Sequence, residues 1–345
     1  MKRAAPALVA AALWLAVPAA AQDGCGPACL IAAAETAAAE IALPREQAQA
    51  RLAIAVAQAQ AGDAQAAVAT ARSIPDARAR GAALAEVAGA LAWAGDVAGG
   101  AALAREVADA REQSLAVAAL EDVALAQASR GDVAGALALV DGFDDLFRRA
   151  EAQARIAEVQ ARSGDIAGAQ ATADRIDSRV WLDDLRARDF RFSEARFDDH
   201  WFHEARARIA VVQAEGGDLA GALDAAARIT DVGAQSRALS GIAVARARAG
   251  DTQGALEIAG RVEAAFGDLS PMIALAEAGA ATGDPAALDL ARNIEAAYGD
   301  ASALAAFARA GAFRGADAQA GLAIADGVRD LAGRDAVLAA LAEGL

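Results

Sequence analysis

The chain has 345 residues and a formal net charge of −15, with 56% hydrophobic residues but only 4% aromatic ones. Charge of that sign and size argues against nucleic acid or an anionic membrane as principal partner, and fits a soluble protein or one with a basic partner. Alanine dominates the apolar share. It forms helices without side-chain entropy cost but buries little area, about 0.8 kcal/mol per methylene. Such a chain builds its core from many shallow helix contacts, and strand-like alternation is rare along it.

Residues 1–21 predict a secretory signal. Lys2 and Arg3 precede an apolar run from Ala4 to Val17, and Ala19-Ala20-Ala21 forms a small-residue cleavage site before Gln22. The run is short of the roughly 20 residues that span a bilayer, and no lipobox precedes Cys25. The expected location is the periplasm or the exterior, with no membrane contact after cleavage. Lys2 is the sole lysine, so a mature chain without it has no lysine for a Schiff base or a Ser–Lys dyad.

Residues 22–43 hold both cysteines, Cys25 and Cys29, in CGPAC, followed by an apolar stretch suited to a capping helix. In an oxidising compartment two cysteines four apart are expected to close a small disulfide loop. A redox pair is the other reading, although the spacing is one residue longer than CxxC.

From residue 44 the chain repeats itself. Gly-Asp stands at Gly62, Gly95, Gly131, Gly164, Gly217, Gly250 and Gly283, at intervals of 33, 36, 33, 53, 33 and 33, with a degenerate copy at Gly315-Ala316-Asp317. An apolar helix is predicted before each dipeptide, as in ARLAIAVAQAQAGD (50–63), and a shorter one after it, as in AQAAVATARSI (64–74). Glycine ends the first helix in a left-handed conformation. Aspartate caps the second through its side chain. Small residues are expected where paired helices approach, at Ala55, Ala88, Ala124, Ala157, Ala210 and Ala243, and at Ala67, Gly100, Ala136, Ala169, Ala222 and Ala255. Larger core anchors are expected at Ile54, Val87, Val123, Ile156, Ile209 and Ile242, and at Ile74, Val107, Phe143, Ile176, Ile229 and Val262.

The step of about 33 residues, the Gly-Asp turn and the alanine opening of the second helix, as in GDVAGAL (131–137) and GDIAGAQ (164–170), resemble the tetratricopeptide repeat over residues 44–334. The large aromatics which that family places in the first helix are missing, as is a regular closing proline. HEAT-like and other αα-solenoids are the competing labels. The resemblance implies an all-α, right-handed α-solenoid of about eight two-helix repeats, capped at both ends, whose first helices line a protein-binding face. It carries no catalytic residues across. Residues 44–177 hold repeats 1–4, 203–334 hold repeats 5–8, and 335–345 read as a C-terminal capping helix.

The interval of 53 marks an insertion, 178–202, with a different chemistry. The chain has 4 Trp, 9 Phe and 1 Tyr, and this stretch holds Trp181, Phe190, Phe192, Phe197, Trp201 and Phe202 among alternating arginines and acids. Aromatics beside arginines are the materials of interface hot spots, so these six are the candidate partner-binding residues. A local core that plugs the groove is the competing reading.

His200 and His203, the only histidines, lie in the same stretch, with Asp199 and Glu204 beside them. Three apart on a helix they share a face. No second ligand pair and no HExxH spacing accompany them, so no metal and no cofactor is expected. There is no GxSxG motif and no phosphate loop. The chain therefore reads as a non-catalytic scaffold for a protein or peptide. A carboxylate- or metal-dependent hydrolase centred on 178–204 is the alternative, with Asp199, His200, His203 and Glu204 converging on one cleft.

Overall fold

The computed structural model describes residues 26–109, 113–176, 200–267, 269–280, 285–309 and 318–344. Every regular element among them is an α-helix, and none is long and apolar enough to cross a membrane. Two compact units divide the chain, Met1–Ser163 and Gly164–Leu345.

In the first unit α1 (Pro27–Glu40) precedes three helix pairs and a further first helix. The pairs are α2 (Pro44–Gln60) with α3 (Ala64–Arg72), α4 (Ala77–Ala94) with α5 (Val97–Asp109), and α6 (Gln113–Ser129) with α7 (Val133–Asp141), before α8 (Leu146–Arg162). The second unit opens on α9 (Ile166–Asp174), then α10 (His200–Glu215), α11 (Leu219–Ala227), α12 (Val232–Arg248) and α13 (Thr252–Phe266). It closes with α14 (Ser270–Ala280), α15 (Pro285–Tyr298), α16 (Ser302–Arg309), α17 (Ala318–Gly327) and α18 (Leu331–Gly344). In each unit the substantial packing joins helices one or two places apart in chain order. That is nearest-neighbour packing, as expected of a repeat.

The Gly-Asp turn does the work assigned to it. Gly62, Gly95, Gly131, Gly164, Gly217 and Gly250 have φ between 87° and 119°, the left-handed region. The next aspartate donates its N–H five residues back, as Asp63 does to the Gln58 carbonyl at 2.9 Å, the long bond of a Schellman end. Its carboxylate then accepts from a backbone N–H three residues on, at 2.8–3.0 Å in Asp63, Asp96, Asp132, Asp165, Asp218 and Asp251. A side chain four residues before the glycine steadies that aspartate: Gln127 to Asp132, Gln213 to Asp218 and Arg246 to Asp251.

A second polar position closes the other end of the pair. Near the start of first helices, Gln47, Arg80, Arg149 and Gln235 donate to carbonyls at or just beyond the end of the preceding helix, at 2.6–3.4 Å. The last carbonyls of a helix lack an i+4 donor; the side chain adds to the backbone N–H that the Ala38 and Ala226 carbonyls accept from Ile41 and Ile229.

Every core anchor read from the sequence is buried, from Ile54 at 3% exposed and Val87 at 0% to Ile176 at 4% and Val262 at 0%. The small positions are buried too. Gly100 shows why size is limited there: a Cβ on it would stand 2.5 Å from the Ala88 carbonyl oxygen, where α5 crosses α4. Two features depart from the sequence reading. The second helices α13 and α15 run to 15 and 14 residues, against 9 in α3, α7 and α11. They end at Gly267 and Gly299, both left-handed. At the C-terminus, α18 begins at Leu331 and so is a full helix rather than the 335–345 segment expected.

Candidate functional site

The insertion is followed by α10, which begins at His200. Trp201 and Phe202 therefore stand in the first turn of a repeat helix. Trp181, Phe190, Phe192 and Phe197 lie outside the described residues, as do Asp199 and Cys25; Cys29 is in the first turn of α1.

Phe202 occupies the position that is Gln47, Arg80, Arg149 and Gln235 in other copies. A phenyl ring has no proton to give a carbonyl. The structure uses it differently: Arg206, one turn on, lays its guanidinium 4.2 Å from the ring centroid and donates Nη2 to Asp174, the last residue of α9, at 2.9 Å. Rings run through this turn edge to face, His200 to Trp201 at 5.2 Å and Phe202 to His203 at 5.0 Å between centroids. Trp201 and Phe202 are half-buried, leaving aromatic surface beside an arginine at the point where segment 177–199 joins α10.

The two histidines occupy different environments. His200 is exposed, whereas His203 is 7% exposed, with Nε2 3.1 Å from the Thr230 hydroxyl. His203 fills a position that is Ala150 or Ser236 in neighbouring copies and ties α10 to the chain after α11. Glu204 accepts from Arg237 of α12 at 2.9 Å and from Arg208 at 3.2 Å. Among the described residues no group of three or more His, Cys, Asp or Glu could hold a metal ion.

Next to this turn is a groove that the sequence reading did not find. It has a volume of about 240 Å³ and a floor on α10, and α9 and α11 form its walls. Because the three helices alternate in direction, Asp174, Arg206, Asp224 and Arg228 lie toward the end where 177–199 joins α10. Gln170, Gln213 and Gly221 lie toward the Gly-Asp end, with Ile209 between. Arg228 pairs with Asp224 at 2.5 Å, so both arginines are matched by carboxylates. The Oε1 of Gln213 is buried and accepts no hydrogen bond among the described residues, while its Nε2 holds Asp218.

The positions of Gln170, Arg206 and Ala225 correspond to Val68, Leu84 and Leu103 around α4, to Ala101, Leu120 and Leu139 around α6, and to Leu223, Leu239 and Ile258 around α12. At least two large aliphatic residues occupy each of those junctions, packed in the apolar clusters. The same register reads Leu137, Gln153 and Thr172 around α8, and Arg51 and Thr70 at α2, so polar residues at these positions are not peculiar to α10.

No family model matches the chain, and no curated protein matches it. Among solved structures, the crystal structure of Ton1535 from Thermococcus onnurineus NA1 is similar at 16% identity. The match covers 97% of this chain and 99% of that chain with a TM-score of 0.27. At that score nothing about fold or function passes from one to the other.

Proposed function

We propose that this protein is an exported repeat scaffold of tetratricopeptide-like, right-handed α-solenoid type that binds a protein or peptide partner and performs no catalysis of its own. It acts in the periplasm or outside the cell and needs no cofactor. The observation that carries the reading is the one break in the repeat. In a chain with 4% aromatics, Trp181, Phe190, Phe192, Phe197, Trp201 and Phe202 interrupt it together, among arginines. Aromatics and arginine dominate interface hot spots because they bury large area at low entropy cost. The half-buried Trp201 and the Arg206–Phe202 stack are in keeping with it. Nearest-neighbour helix packing within each unit supports the repeat-scaffold part.

The test compares the mature protein with a variant carrying Trp181, Phe190, Phe192, Phe197 and Trp201 as alanine. Both are checked for helical content by circular dichroism and used to capture proteins from native envelope extract, and any partner recovered is titrated back as purified protein. Loss of a saturable interaction in a folded variant is the expected outcome. An early-melting variant, or one that binds the same partner equally well, makes these aromatics core and removes the reading.

A further inference from the structure

Trp93 stands 49% exposed in the last turn of α4. Across the six turns from Gly62 to Gly250 no other aromatic occupies its register, which reads Gln60, Ser129, Arg162, Glu215 and Arg248 elsewhere. One turn earlier Gly89 replaces a larger side chain, such as Val56, Leu125 or Val211. Glu86 of α4 and Asp122 of α6 share a third register, where the other four copies have Ala53, Arg155, Arg208 and Gly241. Gly89 brings these features together. A Cβ on it would stand 3.1 Å from the Asp122 Cβ and 3.2 Å from its Oδ2, so Asp122 lays its carboxylate against α4. Glu86 lies three residues before that contact and Trp93 four after it, on one helix stripe with neighbours about 5–6 Å apart. Side chains on a helix lean toward its N-terminus, which turns the indole toward Gly89. Arg130 braces the far end, donating to the Trp93 carbonyl at 2.6 Å and to the Ala126 carbonyl at 3.1 Å.

Two carboxylates and a solvent-facing indole on one stripe select a cation. Charge between the carboxylates relieves their repulsion, and charge over the indole face is attracted by the ring. A guanidinium does both at once: its plane stacks on the ring while its fork meets a carboxylate through two parallel N–H···O bonds. A net charge of −15 draws the same class of partner. We propose that Trp93, Glu86 and Asp122 form a docking site for an arginine side chain of a basic peptide segment, stacked on the indole and paired with the carboxylates. This goes beyond the scaffold reading and does not depend on the aromatic segment.

The experiment titrates the full mature chain with N-acetyl Ala-Ala-Arg-Ala-Ala amide, with its lysine form, and with its citrulline form, which keeps the shape and drops the charge. Indole and backbone N–H signals are followed by NMR. The mature chain keeps Trp93, Trp181 and Trp201, and Trp93→Phe assigns the first. The arginine peptide is expected to shift the Trp93 indole and the amides of α4 and α6 saturably. Binding is expected to weaken at least about fivefold in Trp93→Leu, in Glu86→Gln and in Asp122→Asn. Glu86 and Trp93 are exposed, so their variants carry the test if Asp122→Asn loses helicity. No saturable shift at Trp93, unchanged binding by these folded variants, or citrulline or lysine binding as tight as arginine overturns the proposal. The five-alanine variant of the aromatic segment, if folded, is expected to keep arginine binding. Loss there, with the Trp93 variant unaffected, moves the arginine contact to 178–202 and overturns it as well.

Discussion

Arg206 reaches back from α10 to Asp174 at the end of α9 in the same register in which Gln153 of α8 reaches Asp141 at the end of α7, at 2.9 Å in both cases. The repeat thus has a standing polar tie between a first helix and the end of the helix before it. At α10 the tie is an ion pair whose cation also covers Phe202. The pair is about half exposed, and such pairs contribute at most about 1 kcal/mol. The ring contact is worth about 0.5–1 kcal/mol. Double-mutant cycles by urea denaturation separate the two. Coupling of Arg206 to Asp174, measured with Arg206→Ala and Asp174→Asn, is expected to vanish in about 1 M salt, where screening acts within about 3 Å. Coupling of Arg206 to Phe202 is expected to persist.

Gly131→Ala puts a Cβ on a residue with φ of 88°. The left-handed conformation costs a non-glycine residue about 1–2 kcal/mol, so a loss of that size is expected in chemical denaturation. Asp132→Ala removes the cap of α7 and is expected to cost about 1 kcal/mol. Adjacent in one turn, the two changes are expected to be less than additive in the double variant.

Glu121 of α6 is 5% exposed and ion-paired with Arg155 of α8. Burial raises its pKa above the ordinary 4.5, and the Arg155 partner only partly offsets this. The folded state therefore holds the proton more tightly than the unfolded one. This contribution to stability is full below 4.5 and is lost as pH rises through the folded value. Glu121→Gln removes that decline. The stability of the variant relative to wild type is expected to increase from pH 4 to pH 7; a constant or shrinking difference contradicts the assignment.

Asp251 behaves in the opposite sense. The Gly254 N–H, and then Arg246, hold its carboxyl below the ordinary 3.8. A depressed folded value gives stability that is present above 3.8 and lost as pH falls through the folded value. Asp251→Asn is expected to flatten the acid limb of a thermal-melt-against-pH curve, with no change in its slope above pH 6.

Much of the fold was legible because it rests on local rules repeated many times. Gly-Asp announces a left-handed stop and a cap at each of the six described turns from Gly62 to Gly250, and Ile54, Val123 and Ile242 mark a buried stripe by spacing alone. The candidate site was legible only in part. Trp201 and Phe202 stood out by composition, yet their place in the first turn of α10 follows from where that helix starts. His203 read as a possible ligand; its burial against Thr230 shows it filling space that alanine or serine fills elsewhere.

By itself, the amino-acid sequence determined the helices, their turns and caps, and the residues of the core, because each depends on contacts within one repeat or on propensity. Tertiary structure decided what happens between repeats. The groove over α10 arises from Gln170, Arg206 and Ala225 on three separate helices, distant in sequence and adjacent only after packing. They line one groove only because the packed helices bring them together.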